Sequence, residues 1–304
     1  MFFSQPIIGS IGIAHDNYES ILPTAKGMVV RDITDISKNR QRSLSLDQFL
    51  KQHNIPGISG IDTRHLIRQI NQTGTIKAVS WTLRRPRLRS VARHGVNEPA
   101  SGASCYAAAI PKPESGYNVV VIDFGLKHGI LRQLSKRDCN VTVLPWNASA
   151  QDIINLDPDG VLLSTGPGSP LDLPESVLDM IRTIQERIPL FAIGLGHELF
   201  ALANGSEITK LKLSHHGANH PIRKIITNEI IYAMESEEYV VDPDSVDRDR
   251  LITTYLDLID GSIQGLRHRD YPAFSVQFFP DGAPGPDDSV DLFDEFVEIM
   301  GTRE

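Results

Sequence analysis

Pro189-Leu-Phe-Ala-Ile-Gly194-Leu195-Gly-His-Glu198-Leu-Phe-Ala-Leu-Ala-Asn-Gly205 holds three signals in succession. The apolar run from Leu190 to Ile193 reads as a buried strand. It breaks at Gly194-Leu195-Gly196. An apolar helical pattern then follows through Leu199, Phe200, Leu202 and Ala203, and Gly205 closes it as a glycine just past a helix end does. Strand, sharp turn and helix make a nucleophile elbow. Such a turn presents one side chain at a helix N-terminus, where the dipole favours a developing anion. The apex here is Gly194, which has no atom to attack with.

Outward from this turn the pattern continues in both directions. Val119 to Gly125 reads as a buried strand and Leu126 to Arg137 as an amphipathic helix. Val141 to Pro145 is a second strand, Ala150 to Leu156 a short helix, Gly160 to Gly168 a third strand with its loop, and Glu175 to Arg187 a helix. Alternating strands and helices imply a parallel sheet covered on both faces, with right-handed crossovers. Ligands of such sheets lie beyond the carboxyl ends of the strands. The loop Ser164-Thr165-Gly166-Pro167-Gly168 and the elbow both fall there. Beyond Gly205 the chain reads as strands and hairpins, closed by a helix from Leu292 to Met300. Before the linker, Ile7–Gly12 and Gly27–Val30 read as strands. Leu46–Gln52 reads as a helix capped by Ser45, and a second helix spans Thr63 to Gln72, stopped by Gly74.

Bulk properties bound the function. A chain of 304 residues suggests about two domains. A net charge of −8 argues against a nucleic-acid partner. The short basic cluster Arg84–Arg89 reads as a solvated loop. No run of about 18 apolar residues indicates a membrane span, and no signal peptide is evident. The two cysteines, Cys105 and Cys139, lack metal or redox spacing and suit a reducing cytoplasm. His215, His216 and His220 include two that are four apart. A helix aligning them would be interrupted by Gly217 and ended by Pro221, and no nearby Cys or Asp completes a ligand set. No metal and no cofactor is expected.

The elbow resembles that of class I glutamine amidotransferases, Gly-Ile-Cys-Leu-Gly-His-Gln, and most of all that of carbamoyl phosphate synthetase small subunits. Gly194 stands at the cysteine and Glu198 at the glutamine. Pro6-Ile-Ile-Gly9, Ile55-Pro-Gly-Ile58, Gly60-Ile-Asp-Thr-Arg64, Gly74-Thr-Ile-Lys77 and Asp123-Phe-Gly-Leu-Lys127 are further words of that family, as are Ser164 to Gly168 and Gly217 to Pro221. The resemblance implies an α/β fold in two parts. One is an incomplete amino-terminal small-subunit domain with linker, residues 1–110. The other is a flavodoxin-like glutamine amidotransferase domain with a mixed, mainly parallel sheet, residues 111–304. The family domain begins upstream of Met1, so its opening strands and a glutamine-contacting serine are expected to be absent. Residues 81–117 match least and read as linker.

The resemblance also assigns a site. Pro272 to Pro286 matches Gln-Tyr-His-Pro-Glu-Ala-Ser-Pro-Gly-Pro, so Phe279 occupies the position of the catalytic histidine and Asp281 that of the carboxylate orienting it. Gly166, Gly168, Leu195, Glu198, Ser236, Glu238 and Tyr239 fall on glutamine-binding positions. Glu235 to Asp242 replaces the family's Gln-Asn-His-Gly-Phe-Ala-Val-Asp, and its Glu235, Glu237 and Glu238 read as a solvated acidic loop that would repel an incoming carboxylate. Hydrolysis in the family needs a thiolate and an imidazole acting together. With both gone, the vestigial set Gly194, Phe279 and Asp281 implies a pseudo-glutaminase that binds glutamine weakly or not at all. Such a chain would act as scaffold or regulator of a carbamoyl phosphate synthetase large subunit, for arginine or pyrimidine synthesis. Two other readings stay open: a decayed, partnerless paralogue, and an active small chain with a different nucleophile.

Overall fold

The computed structural model describes the chain apart from residues 1–2, 4, 15–17, 21–22, 24, 37–41, 74–107, 111–115 and 303–304. The word Gly74–Lys77, the basic cluster Arg84–Arg89, Cys105 and most of the expected linker lie outside the described residues. The chain divides into two compact units, Met1–Arg93 and His94–Glu304.

In the first unit, strands β1 (Ile7–Ile8), β2 (Met28–Val29) and β3 (Asp32–Ile33) precede helix α1 (Leu46–Gln52), strand β4 (Gly57–Ile58) and helix α2 (Thr63–Thr73). β1 pairs with β3 and β2 with β4, both in parallel. The Ser45 side chain accepts from the Gln48 N–H while the Gln48 side chain accepts from the Ser45 N–H, a reciprocal capping box. Leu46 and Leu50 face inward from this helix and pack with Met28 and Val30.

The second unit is built on one ten-stranded sheet. In chain order its elements are β5 (Ala108–Ile110), β6 (Asn118–Asp123), α3 (His128–Lys136), β7 (Asn140–Pro145), α4 (Ala150–Ile154), β8 (Gly160–Leu163), α5 (Glu175–Gln185), β9 (Leu190–Ile193) and α6 (Leu195–Ala203). There follow β10 (Ile208–Lys224), β11 (Glu229–Val241), β12 (Leu251–Asp257), β13 (Ile263–His268), β14 (Ala273–Val276) and α7 (Leu292–Gly301). The strand order is β11-β10-β12-β13-β14-β9-β8-β6-β7-β5. The run β14-β9-β8-β6-β7 is parallel, and antiparallel strands extend it at both ends. The expected mixed α/β sheet, parallel through its helix-covered centre, is therefore present. Residues 108–110, read from sequence as linker, instead form an edge strand antiparallel to β7. Three residues are too few for periodicity to register.

The parallel strands are buried on both faces, which is why they read as unbroken apolar runs. On one face Ile122, Leu163, Leu190 and Ala192 pack with Ile181 and Ile184 of α5 and Leu199 and Phe200 of α6. On the other, Val121, Leu162, Phe191 and Ile193 pack with Ile130 and Leu134 of α3 and Phe293 and Phe296 of α7. Phe191 is the hub of that layer. It stacks on Phe274 at 4.5 Å between centroids and meets Phe293 edge-on at 5.6 Å. Among the described residues, no helix is long and apolar enough to cross a membrane.

Candidate functional site

β9 ends at Gly194, whose φ of 60° and ψ of −116° turn the chain directly into α6. The Gly194 N–H donates to the Val276 carbonyl of β14 at 2.9 Å, which locks the turn to the next parallel strand. A Cβ placed at Gly194 would lie 3.2 Å from Thr165 Cγ2 and 3.4 Å from Phe279 Cε1. The elbow thus aims its missing side chain at the Ser164–Gly168 loop and at the Phe279 ring. Gly168 closes that loop at a φ of 96°, which glycine takes without strain. A Cβ at Gly166 would collide with the Phe124 carbonyl and lie 2.8 Å from Leu195 Cδ2, so loop and helix N-terminus are in close contact.

Phe279 is held in this position by its own backbone, whose N–H donates to the Met234 carbonyl at 2.9 Å. Asp281 is buried and holds Lys127 Nζ at 2.7 and 2.9 Å. The same ammonium sits 4.6 Å from the Phe279 ring centroid. A cation therefore occupies the space between ring and carboxylate. With a phenyl ring at the histidine position Asp281 has no imidazole to orient, and the structure gives it Lys127 from the loop after β6.

Glu198 is buried on the first turn of α6, and Gln277 Nε2 donates to its Oε1 at 2.9 Å. Burial pushes its carboxyl up to about 8, against the Gln277 hydrogen bond that favours the ionised form. His197 is fully buried, its Nδ1 2.8 Å from the Ser275 hydroxyl, and burial pushes its imidazole down to about 3. That ring stays neutral and faces the sheet. Cys139 lies buried between α3 and β7 with its thiol pushed up to about 11 by desolvation.

The remaining predicted positions lie on β11. Ser236 Oγ is 3.2 Å from His216 Nδ1, Glu238 Oε2 is 3.3 Å from Lys210 Nζ, and Lys210 lies over the Tyr239 ring at 5.3 Å. Their partners come from β10, and the structure shows no bond from any of them to the elbow.

This segment corrects two expectations. Residues 229–241 are a strand, not a solvated loop, and Glu235 and Glu237 are buried within it. The second is that no nearby acid completes a ligand set for the histidines: His215, His216 and His220 lie on β10, a strand as expected, and acids of the neighbouring strands come within reach of two of them. The histidines that converge are His215 and His220, whose rings stack at 5.3 Å. His215 and His220 are an odd number of residues apart and would point to opposite faces of a regular strand. The irregularity between Gly217 and His220 brings them to one face. The acids that meet them, Glu235 and Asp257, come from β11 and β12, and only the sheet order reveals it.

A buried sheet ending in an elbow over a glycine loop is the architecture of class I glutamine amidotransferases, and the family model "Glutamine amidotransferase class-I" matches residues 120–299. The model of the carbamoyl-phosphate synthase small-chain CPSase domain matches residues 1–80. Lactiplantibacillus plantarum has a carbamoyl phosphate synthase pyrimidine-specific small chain that is 46% identical over 310 residues, covering 100% of this chain and 84% of that one. The carbamoyl phosphate synthase small chain of Streptococcus mutans is 48% identical over 305 residues, covering 98% and 83%. The chain belongs to the carbamoyl phosphate synthase small-chain family. A solved GMP synthase component from Thermoplasma acidophilum superposes with a TM-score of 0.54 at 18% identity, over 62% of this chain and 96% of that one, a likeness of fold alone.

Proposed function

We propose that this chain is a small-chain homologue that does not hydrolyse glutamine. It acts as scaffold or regulator of a carbamoyl phosphate synthetase large subunit that draws on free ammonia, in the cytoplasm, for arginine or pyrimidine synthesis. The observation that carries the reading is the position of Phe279 beside the Cβ direction of Gly194. Amide hydrolysis by an acyl-enzyme needs an attacking atom and a group that moves its proton. At the apex there is only hydrogen, and a phenyl ring fills the base position. Among the described residues no other side chain takes over: His197 is neutral and turned to Ser275, and Lys127 is committed to Asp281. Cys139 is a buried thiol that does not ionise near neutral pH.

Glutamine recognition is weakened by a second set of substitutions. Glu198 stands where the family resemblance places a neutral amide, and Ser236 and Glu238 are engaged by β10. The test is ammonia release from glutamine by the full chain, alone and with its cognate large subunit. The expected result is no release beyond that of the large subunit alone, together with co-purification of the two chains. Release that scales with this chain and disappears in Cys139→Ala or Cys105→Ala would overturn the proposal in favour of an unforeseen nucleophile.

A further inference from the structure

The geometry points to a binding site for one divalent first-row transition cation of the zinc type, formed by His215, His220, Glu235 and Asp257. These four offer ligand atoms that all lie within 4.8 Å of one another. Glu235 Oε2 is 3.0 Å from His215 Nδ1 and 2.9 Å from His220 Nδ1, and His220 Nδ1 is 3.6 Å from Asp257 Oδ2. His215 Nδ1 is hydrogen-bonded to Glu237 Oε1 at 2.9 Å, a bond that the imidazole would exchange for the cation. Four-coordinate zinc holds nitrogen and oxygen ligands at about 2.0–2.2 Å, which sets neighbouring ligand atoms about 3.4 Å apart. The spacings among the four bracket that value.

Three features favour a cation over a plain ion-pair cluster. The first is charge. Glu235, Glu237 and Asp257 are all buried around two imidazoles, a concentration of acidic oxygens out of water that a bound cation would offset. The second is hydrogen bonding. Both oxygens of Glu235, whose side chain is 0% exposed, accept no well-formed hydrogen bond, and the same holds for Asp257 Oδ2, Glu237 Oε2 and His220 Nδ1. Buried polar atoms are almost always satisfied, so several orphans around one point call for a partner. Both histidines turn Nδ1 toward one Glu235 oxygen without completing a bond to it, which is how ligands share a metal. The third is outer support. His215 Nε2 lies 3.1 Å from Asp260 Oδ2, and Gln264 Nε2 donates to Glu237 Oε1 at 2.9 Å. A carboxylate behind a ligating imidazole fixes its ring and raises its basicity.

The donor set selects the metal. Two imidazoles and two carboxylates suit zinc or its first-row neighbours and not magnesium or calcium, which take oxygen ligands. The ligands come from the three adjacent strands β11, β10 and β12, so the cation would staple the antiparallel wing of the sheet. Glu235 and Glu237 belong to the segment that departs from the family's Gln-Asn-His-Gly word. The inference does not depend on whether glutamine is hydrolysed.

The test uses the full chain, stripped with a chelator and titrated with zinc alone by calorimetry and with cobalt(II) alone by visible absorption. One equivalent of zinc should bind, and cobalt should give the intense bands of a tetrahedral nitrogen–oxygen site. Glu235→Gln and Asp257→Asn should each weaken zinc binding by at least about a hundredfold, while His216→Gln, on the other side of β10, should leave it unchanged. Substoichiometric binding by the unmodified chain, or octahedral cobalt spectra, would overturn the inference whatever the variants do. Equal zinc affinity in folded Glu235→Gln and Asp257→Asn would overturn it as well.

Discussion

At the scale of the residue, Gly194 and Glu198 define what the elbow has become. The Gly194 φ of 60° belongs to a region that costs other residues about 1–3 kcal/mol. Gly194→Cys should therefore lower the unfolding free energy by about that amount in urea denaturation, with a small added cost from the 3.2 Å approach to Thr165. The new thiol would sit at a helix N-terminus and should react with iodoacetamide far faster than Cys139. Glu198 makes a second prediction through pH. Its carboxyl titrates at about 8 when folded, against 4.5 ordinarily, so between those values the folded chain holds a proton that the unfolded chain releases. Stability is then lost as pH rises from about 4.5 to about 8 and levels off above. Glu198→Gln removes that slope. The difference in unfolding free energy between variant and parent should grow with pH across this window, and a difference independent of pH would contradict the assignment.

At the scale of the element, α6 is pressed against β8. A Cβ at Gly196 would come 2.6 Å from the Leu163 carbonyl oxygen, which is backbone and cannot swing aside. Gly196→Ala should cost about 1–3 kcal/mol, read as a lowered melting temperature. A neutral result would mean that helix and strand separate more easily than they are packed. The parallel elements were legible in sequence because each is a closed apolar run between turn signals, and α1 because Ser45 and Gln48 form its cap. The wing β10–β12 was not. Its inward residues include histidines and acids, so Glu235 and Glu237 alternate with Ser236 and Glu238 in a pattern that looks solvent-facing throughout. The irregularity that brings His215 beside His220 has no signal beyond Gly217, and Asp257 reaches them only through strand order. For the elbow the reverse holds. Gly194, Phe279 and Asp281 could be placed from the resemblance, whereas the Lys127 ammonium between Phe279 and Asp281 required the fold.

At the scale of the whole molecule, a retained architecture stands apart from the reaction that we propose is lost. The packed layers on both faces of the sheet are those of a folded amidotransferase domain, and the elbow, the loop after β8 and the closing helix α7 all occupy their places. The departures from the family's words fall at Gly194, Glu198, Phe279 and the Glu235–Glu238 segment, and not in the packed layers. If the chain serves a large subunit, the nitrogen of carbamoyl phosphate must arrive as ammonia from solution. The most direct test assembles the chain with its cognate large subunit and supplies ATP, bicarbonate, unlabelled ammonium and glutamine carrying a labelled amide nitrogen. The expected product is carbamoyl phosphate without label at every glutamine concentration. Label appearing in the product in proportion to this chain would contradict the loss of glutamine hydrolysis.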